Sequence, residues 1–180
     1  MDRIAERIRM GQEDAKMLAA IDQASLDALA QAIVDAKRIY VAGWGRAGNC
    51  VKILGMNCSQ MGLTAHICGD NTTPSIHEGD LLVVGSGSGN TRTIALLAQQ
   101  AKDHGAKLAL ISRTADSTIG KIADITVVIP GVEKPEGAPA GTGGSFYHVL
   151  VQTVDMIRGY VCEMIGVTSA DMHYNHNNLE

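Results

Sequence analysis

Gly85-Ser86-Gly87-Ser88-Gly89-Asn90-Thr91 is the stretch of this chain whose residue types and spacing could do chemistry. It follows the apolar run at 81–84 and opens onto a helical pattern. In that order of parts, backbone amides of a glycine-rich turn and of a helix N-terminus point at one anion, and small hydroxyls add donors. Ser86, Ser88 and Thr91 put three hydroxyls within six positions, more than a simple cap needs, although Thr91 alone would also serve as a cap. No Lys follows the last glycine, so this is not a nucleotide-hydrolysing P-loop. The expected ligand is a small phosphorylated molecule.

A second glycine turn, Gly43-Trp44-Gly45-Arg46-Ala47-Gly48, partly matches the GxGxxG of dinucleotide-binding folds. The acidic partner such a fold needs about 20 residues on would be Asp70, which falls past the end of its strand, so dinucleotide binding is disfavoured. A tight strand-to-helix turn with positive φ at Gly43 and Gly45 accounts for the pattern equally well.

Alternating apolar strands and helical patterns must position these loops. Helical spacing covers residues 2–36, with Ser25 as the N-cap restarting a second helix. Buried strands are expected near 38–42, 64–68, 81–84, 107–111 and 125–129. Between them lie a helix running to residues 60–61 with Gly62 at C′, one over 91–104 stopped by Gly105, and a short one near 117–123. A Gly/Pro-rich loop at 130–145 precedes a long helix over 146–165, and a polar tail carries His173 and His176. Continuous apolar strands alternating with helices predict a doubly wound α/β fold with a five-stranded parallel sheet. Its crevice should lie at the carboxyl ends of the strands, where both glycine loops fall.

Composition narrows the class further. The 180 residues suit one domain, 1–180, with an N-terminal helical segment at 1–36 and a C-terminal tail at 167–180. A net charge of −4 without clustered Lys and Arg argues against nucleic acid. No apolar run reaches membrane-spanning length, and the N-terminus is a charged helical pattern, so a cytoplasmic protein without membrane partners is expected. Cys50, Cys58, Cys68 and Cys162 show no CxxC pairing, which suggests reduced thiols and no metal site.

The strand-loop-helix built on Gly-Ser-Gly-Ser-Gly-Asn-Thr resembles the sugar isomerase (SIS) domain family, and most closely its 6-phospho-3-hexuloisomerases. The resemblance extends through Gly45-Arg46, Met61-Gly62, the segment from Gly69 to Thr73-Pro74, Glu78 to Leu81, Ile119-Gly120, Ala123-Asp124 and the ending Asn178-Leu179-Glu180. It implies a flavodoxin-like α/β sandwich and a homo-oligomer, dimer or tetramer. It also implies isomerisation of 3-hexulose 6-phosphate to fructose 6-phosphate through an enediol, without cofactor or metal. Gly45, Arg46, Ser86, Gly87, Ser88 and Thr91 would bind the sugar phosphate. His176 in the tail matches a family active-site histidine and would be the main acid/base group, reaching a neighbour's site. Arg46 could stabilise the enediolate.

Several positions depart from the family pattern. Ala47 removes a hydroxyl from the first turn, and Asn57 and Gln60 stand where an Arg and a His are usual. Residues 141–145 differ from the family loop, and Phe146 is followed by Tyr147 where a Glu is usual. Tyr147 or His148 would then replace that Glu in proton transfer, unless both are packing residues. The competing expectations are another aldose-ketose isomerase of sugar phosphates, or a non-catalytic sugar-phosphate-binding protein.

Overall fold

The structure is a computed structural model that describes residues 2–131, 137 and 144–179. Most of the 130–145 loop, including the departures at 141–143, lies outside the described residues.

Five parallel strands, β1 (Ile39–Ala42), β2 (Ala65–Ile67), β3 (Leu81–Gly85), β4 (Lys107–Ser112) and β5 (Ile125–Val128), form one sheet in the order β2-β1-β3-β4-β5. After β1 the chain turns outward to β2, then crosses to β3 on the other side. The topological switch point therefore lies between β1 and β3, and both glycine loops leave from it.

Alternation along the strands builds two cores. Ile39, Val41, Leu81, Val83, Ala109 and Ile111 face one side, packing with α1 (Arg3–Ala19), α2 (Gln23–Asp35), α3 (Gly45–Gln60) and α5 (Phe146–Ile165). Tyr40, Ala42, Leu82, Val84, Leu108 and Leu110 face the other, with α4 (Arg92–Asp103) as its helix. The expected doubly wound α/β sandwich is present, though four helices share one face.

Local expectations differ from the structure in four places. Asp22 caps α2, its carboxylate accepting from the Ser25 N–H, so Ser25 lies within the first turn. Residues 117–123 form turns and not a helix. The tail contains a short helix, α6 (Ser169–Tyr174), started by a capping box between Thr168 and Asp171. Gly45 has a φ of 57°, but Gly43 does not share a positive φ. Gly43 and Gly48 are required instead by close approach: a Cβ on Gly48 would sit 2.2 Å from the Gly43 carbonyl oxygen. That contact lets α3 start directly above β1.

All four cysteines are free thiols. Burial pushes Cys58 up to about 12 and Cys68 up to about 11, so both are unreactive packing groups at neutral pH.

Candidate functional site

A cavity of about 330 Å³ opens at the carboxyl ends of β1 and β3. Trp44, Gly45, Arg46 and Ala47 form one wall, and Ser86, Gly87, Ser88 and Thr91 form the opposite one. Arg113, just past β4, and Tyr147, in the first turn of α5, complete it. All six residues expected to bind a sugar phosphate therefore line one cavity, together with Tyr147.

The hydroxyl loop is held from outside. The Ser86 amide donates to the Ile111 carbonyl at 3.1 Å, and the Gly87 carbonyl accepts from the Arg113 amide at 3.2 Å. Asn90 accepts from both the amide and the hydroxyl of Thr118, at 2.8 and 2.9 Å, tying the loop to the 117–123 turns. Gly89, at φ 62°, packs so tightly that a Cβ would meet Ser117 Oγ at 2.2 Å. Ser86 is 4% exposed, and its Oγ accepts from the Gly89 amide while lying 3.4 Å from Thr91 Oγ1. Ser86 thus braces the loop as well as facing the cavity.

Helix capping shows what the cavity is prepared for. Side chains cap α1, α2, α5 and α6, through Asp2, Asp22, Ser145 and Thr168. The two helices that start from the glycine loops, α3 and α4, lack such caps. Trp44 occupies the N-cap position of α3 and Thr91 that of α4, yet neither side chain bonds its own helix. First-turn amides of both helices are left for a ligand, and their dipoles favour an anion.

Two guanidinium groups add full charge. Arg46 lies over the Tyr147 ring with its central carbon 4.0 Å from the ring centroid. Arg113 lies 5.2 Å from the Phe146 centroid. The aromatic pair at the start of α5 therefore shelves both cations beside the cavity. Arg113 was not a sequence expectation. Its only signal was a cation directly after an apolar strand, at the edge where α/β folds bind ligands.

Neither His148 nor His176 is a lining residue of this cavity. His148, one residue beyond Tyr147, has its Nδ1 3.0 Å from a carboxylate oxygen of Asp14 on α1. His176 lies beyond α6, whose last turn is anchored by Asn175 donating to the Gln60 carbonyl at 3.1 Å. Gln60 ends the helix that Gly45 begins, and 16 residues of helix span about 24 Å. The structure therefore places His176 at the opposite pole from the cavity of its own chain. Asn57, where the family pattern has an Arg, is 1% exposed and donates to Asp155 of α5 at 3.3 Å, so it serves packing between α3 and α5.

Fold and site together define an anion-binding α/β domain with a parallel sheet. The SIS domain model matches residues 32–154, and the chain belongs to the SIS domain family. It is similar to a 3-hexulose-6-phosphate isomerase of Mycobacterium gastri, with 35% identity over 93% of this chain and 86% of that one. A 3-hexulose-6-phosphate isomerase of Bacillus subtilis (strain 168) is 34% identical over 90% of each chain. Among solved structures, a hypothetical protein from Methanococcus jannaschii, inferred to function as a 3-hexulose-6-phosphate isomerase, superposes with a TM-score of 0.85 at 26% identity. That match covers 97% of this chain and 99% of the other.

Proposed function

We propose that this protein is a sugar-phosphate isomerase converting 3-hexulose 6-phosphate to fructose 6-phosphate. The observation that carries this reading is the convergence of two uncapped helix N-termini, three hydroxyls and two arginines on one cavity. The relatives named for that reaction support the choice of substrate.

Ser86, Ser88, Thr91 and the amides of Gly87 and α4 hold the phosphate, while Gly45 and Arg46 bind from the facing turn. Isomerisation then needs a base on carbon. The C2–H bond breaks, its electron pair forms C2=C3, and the C3 carbonyl electrons move to O3. Return of a proton to C3, loss of the O2 proton and protonation of O3 leave a carbonyl at C2, so atoms and charge balance. Arg46 and Arg113 stabilise the enediolate oxygens electrostatically. His148, the residue after the cavity-lining Tyr147 in the first turn of α5, takes the C2 proton, an imidazole being suited to transfer near neutral pH. Tyr147 holds Arg46 through its ring, and its hydroxyl is available to the sugar oxygens.

His176 enters as the acid/base group of a neighbouring copy, because its own cavity lies a helix length away. The protein is accordingly read as a homo-oligomer, a dimer or a homotetramer, with each chain one domain over 1–180. Ile4 and Ile8 on α1, 61% and 57% exposed, offer an apolar surface for such contact. Among the described residues no single helix is long and apolar enough to cross a membrane, and the protein is read as cytoplasmic from its metabolic relatives.

The test is a coupled assay supplying 3-hexulose 6-phosphate and reading fructose 6-phosphate. Turnover is expected from the wild-type chain and its loss from His148→Gln. If wild type is inactive but phosphosugars raise its melting temperature, it is a binding protein and the isomerase reading fails.

A further inference from the structure

Asp14 occupies a position where a carboxylate is costly. It lies on the buried face of α1 one turn before Met17 and is only 8% exposed. A buried carboxylate is stable only with its oxygens bonded, and both are. One oxygen accepts from the Ser145 amide at 2.8 Å, and the other faces Nδ1 of His148 at 3.0 Å. The adjacent Glu13 accepts from the Gly144 amide. Residues 13 and 14 of α1 thereby fix the chain as it enters α5, across a sequence separation of more than 130 residues.

An acceptor on Nδ1 decides which nitrogen of a neutral imidazole carries the proton. Held by a carboxylate, Nδ1 is the protonated one and Nε2 keeps its lone pair. The His148 side chain is 49% exposed, with its Nδ1 engaged by Asp14. The neighbouring Tyr147 already lines the cavity. From sequence, no carboxylate stood at the start of α5 where the family pattern places one; the fold brings one there from α1.

We propose that Asp14 is a positioning residue that locks the His148 ring in its Nδ1–H tautomer and presents Nε2 to the C2 proton of the substrate. This rests on the isomerase reading above. In the step itself Nε2 accepts the proton and the imidazole becomes a cation facing the Asp14 carboxylate. Delivery of a proton to C3 returns the ring to neutrality.

Asp14→Asn tests the assignment in the full chain, since its side-chain oxygen can still accept from Ser145 while its amide offers Nδ1 a donor. Long-range ¹H–¹⁵N spectra of the histidine rings should show His148 protonated at Nδ1 in wild type and at Nε2 in the variant. Turnover of 3-hexulose 6-phosphate should fall about 100-fold or more with KM within about threefold, as an Asp-to-Asn change does when it imposes the wrong tautomer. A variant that only melts earlier, keeping the wild-type tautomer and kcat, overturns the proposal and leaves the isomerase reading intact. So does a wild-type His148 protonated at Nε2, a measurement that needs no variant to fold. Full turnover in His148→Gln removes the base and the role of Asp14 together. An inactive wild type overturns the reaction reading and this one at once.

Discussion

Thr91 stands at the N-cap of α4, yet its hydroxyl bonds no amide of its own helix and lies 3.4 Å from Ser86 Oγ. A threonine kept for a ligand and one kept as a cap respond differently to removal of the hydroxyl. Thr91→Val is expected to raise KM for the sugar phosphate about tenfold, the worth of one hydrogen bond to a charged group. Its melting temperature should stay within about 2 °C of wild type, because no cap is lost. Steady-state kinetics beside thermal unfolding separates the two; a lower melting temperature with unchanged KM would show Thr91 to be a cap. Arg113 permits a second test at this scale. Arg113→Lys keeps the charge but loses the planar fork that lies near Phe146, so it should not restore the affinity lost in Arg113→Met. Titration calorimetry with the sugar phosphate checks that order. Ser86, Ser88 and Thr91 were legible as hydroxyls of one cavity because hydroxyl spacing in a glycine loop is a local property. Arg113 and Asp14 were not, since their meaning depends on which residues the fold sets beside them.

At the scale of elements, the two glycine turns do different work. The Gly43–Gly48 turn is set by contact between α3 and the end of β1, so Gly48→Ala must push backbone from backbone. A loss of about 3 kcal/mol is expected, and for a chain of this size that corresponds to roughly 6–12 °C in melting temperature. The start of β3 is secured differently. Arg38 donates to both Asp80 oxygens at 3.0 and 2.7 Å, and the His77 amide adds a third bond at 2.8 Å. Burial alone would push the Asp80 carboxyl up, but these bonds and the Arg38 charge more than offset it, leaving it below the usual carboxylate range. Asp124 is lowered in the same way, burial being outweighed by Lys102 and the Leu108 amide. A carboxyl lowered by folding stabilises the protein above its unfolded value of about 4, and that contribution disappears as pH falls through the folded value. Unfolding by urea at pH 7, 4 and 3 should show stability falling in the acid range. Asp80→Asn should be less stable than wild type at pH 7, with a gap that narrows toward pH 3; a gap independent of pH would exclude this linkage.

For the whole molecule, the distance between His176 and its own cavity is the feature to test. Neither a His176→Ala chain nor a His148→Gln chain should turn over alone. Co-refolded, they should regain activity if one copy supplies His176 to the cavity whose His148 is intact. Hybrids confirmed by mass that stay at background would exclude a shared site. The parallel α/β fold, the strand positions and the phosphate-type loop could be read from the chain alone, because alternation, helical spacing and glycine turns are set by near neighbours. The tertiary structure decided that Gly43 serves packing and not a positive φ, that residues 117–123 brace the loop as turns, and that α3 and α4 leave their first amides uncapped toward one cavity. It also brought Asp14 to His148 and set His176 a helix length from its own chain's cavity. Apart from the contact between Gly43 and Gly48, each of these depends on residues tens to more than a hundred positions apart, whose distance is set by how helices stack on the sheet and not by any pattern along the chain.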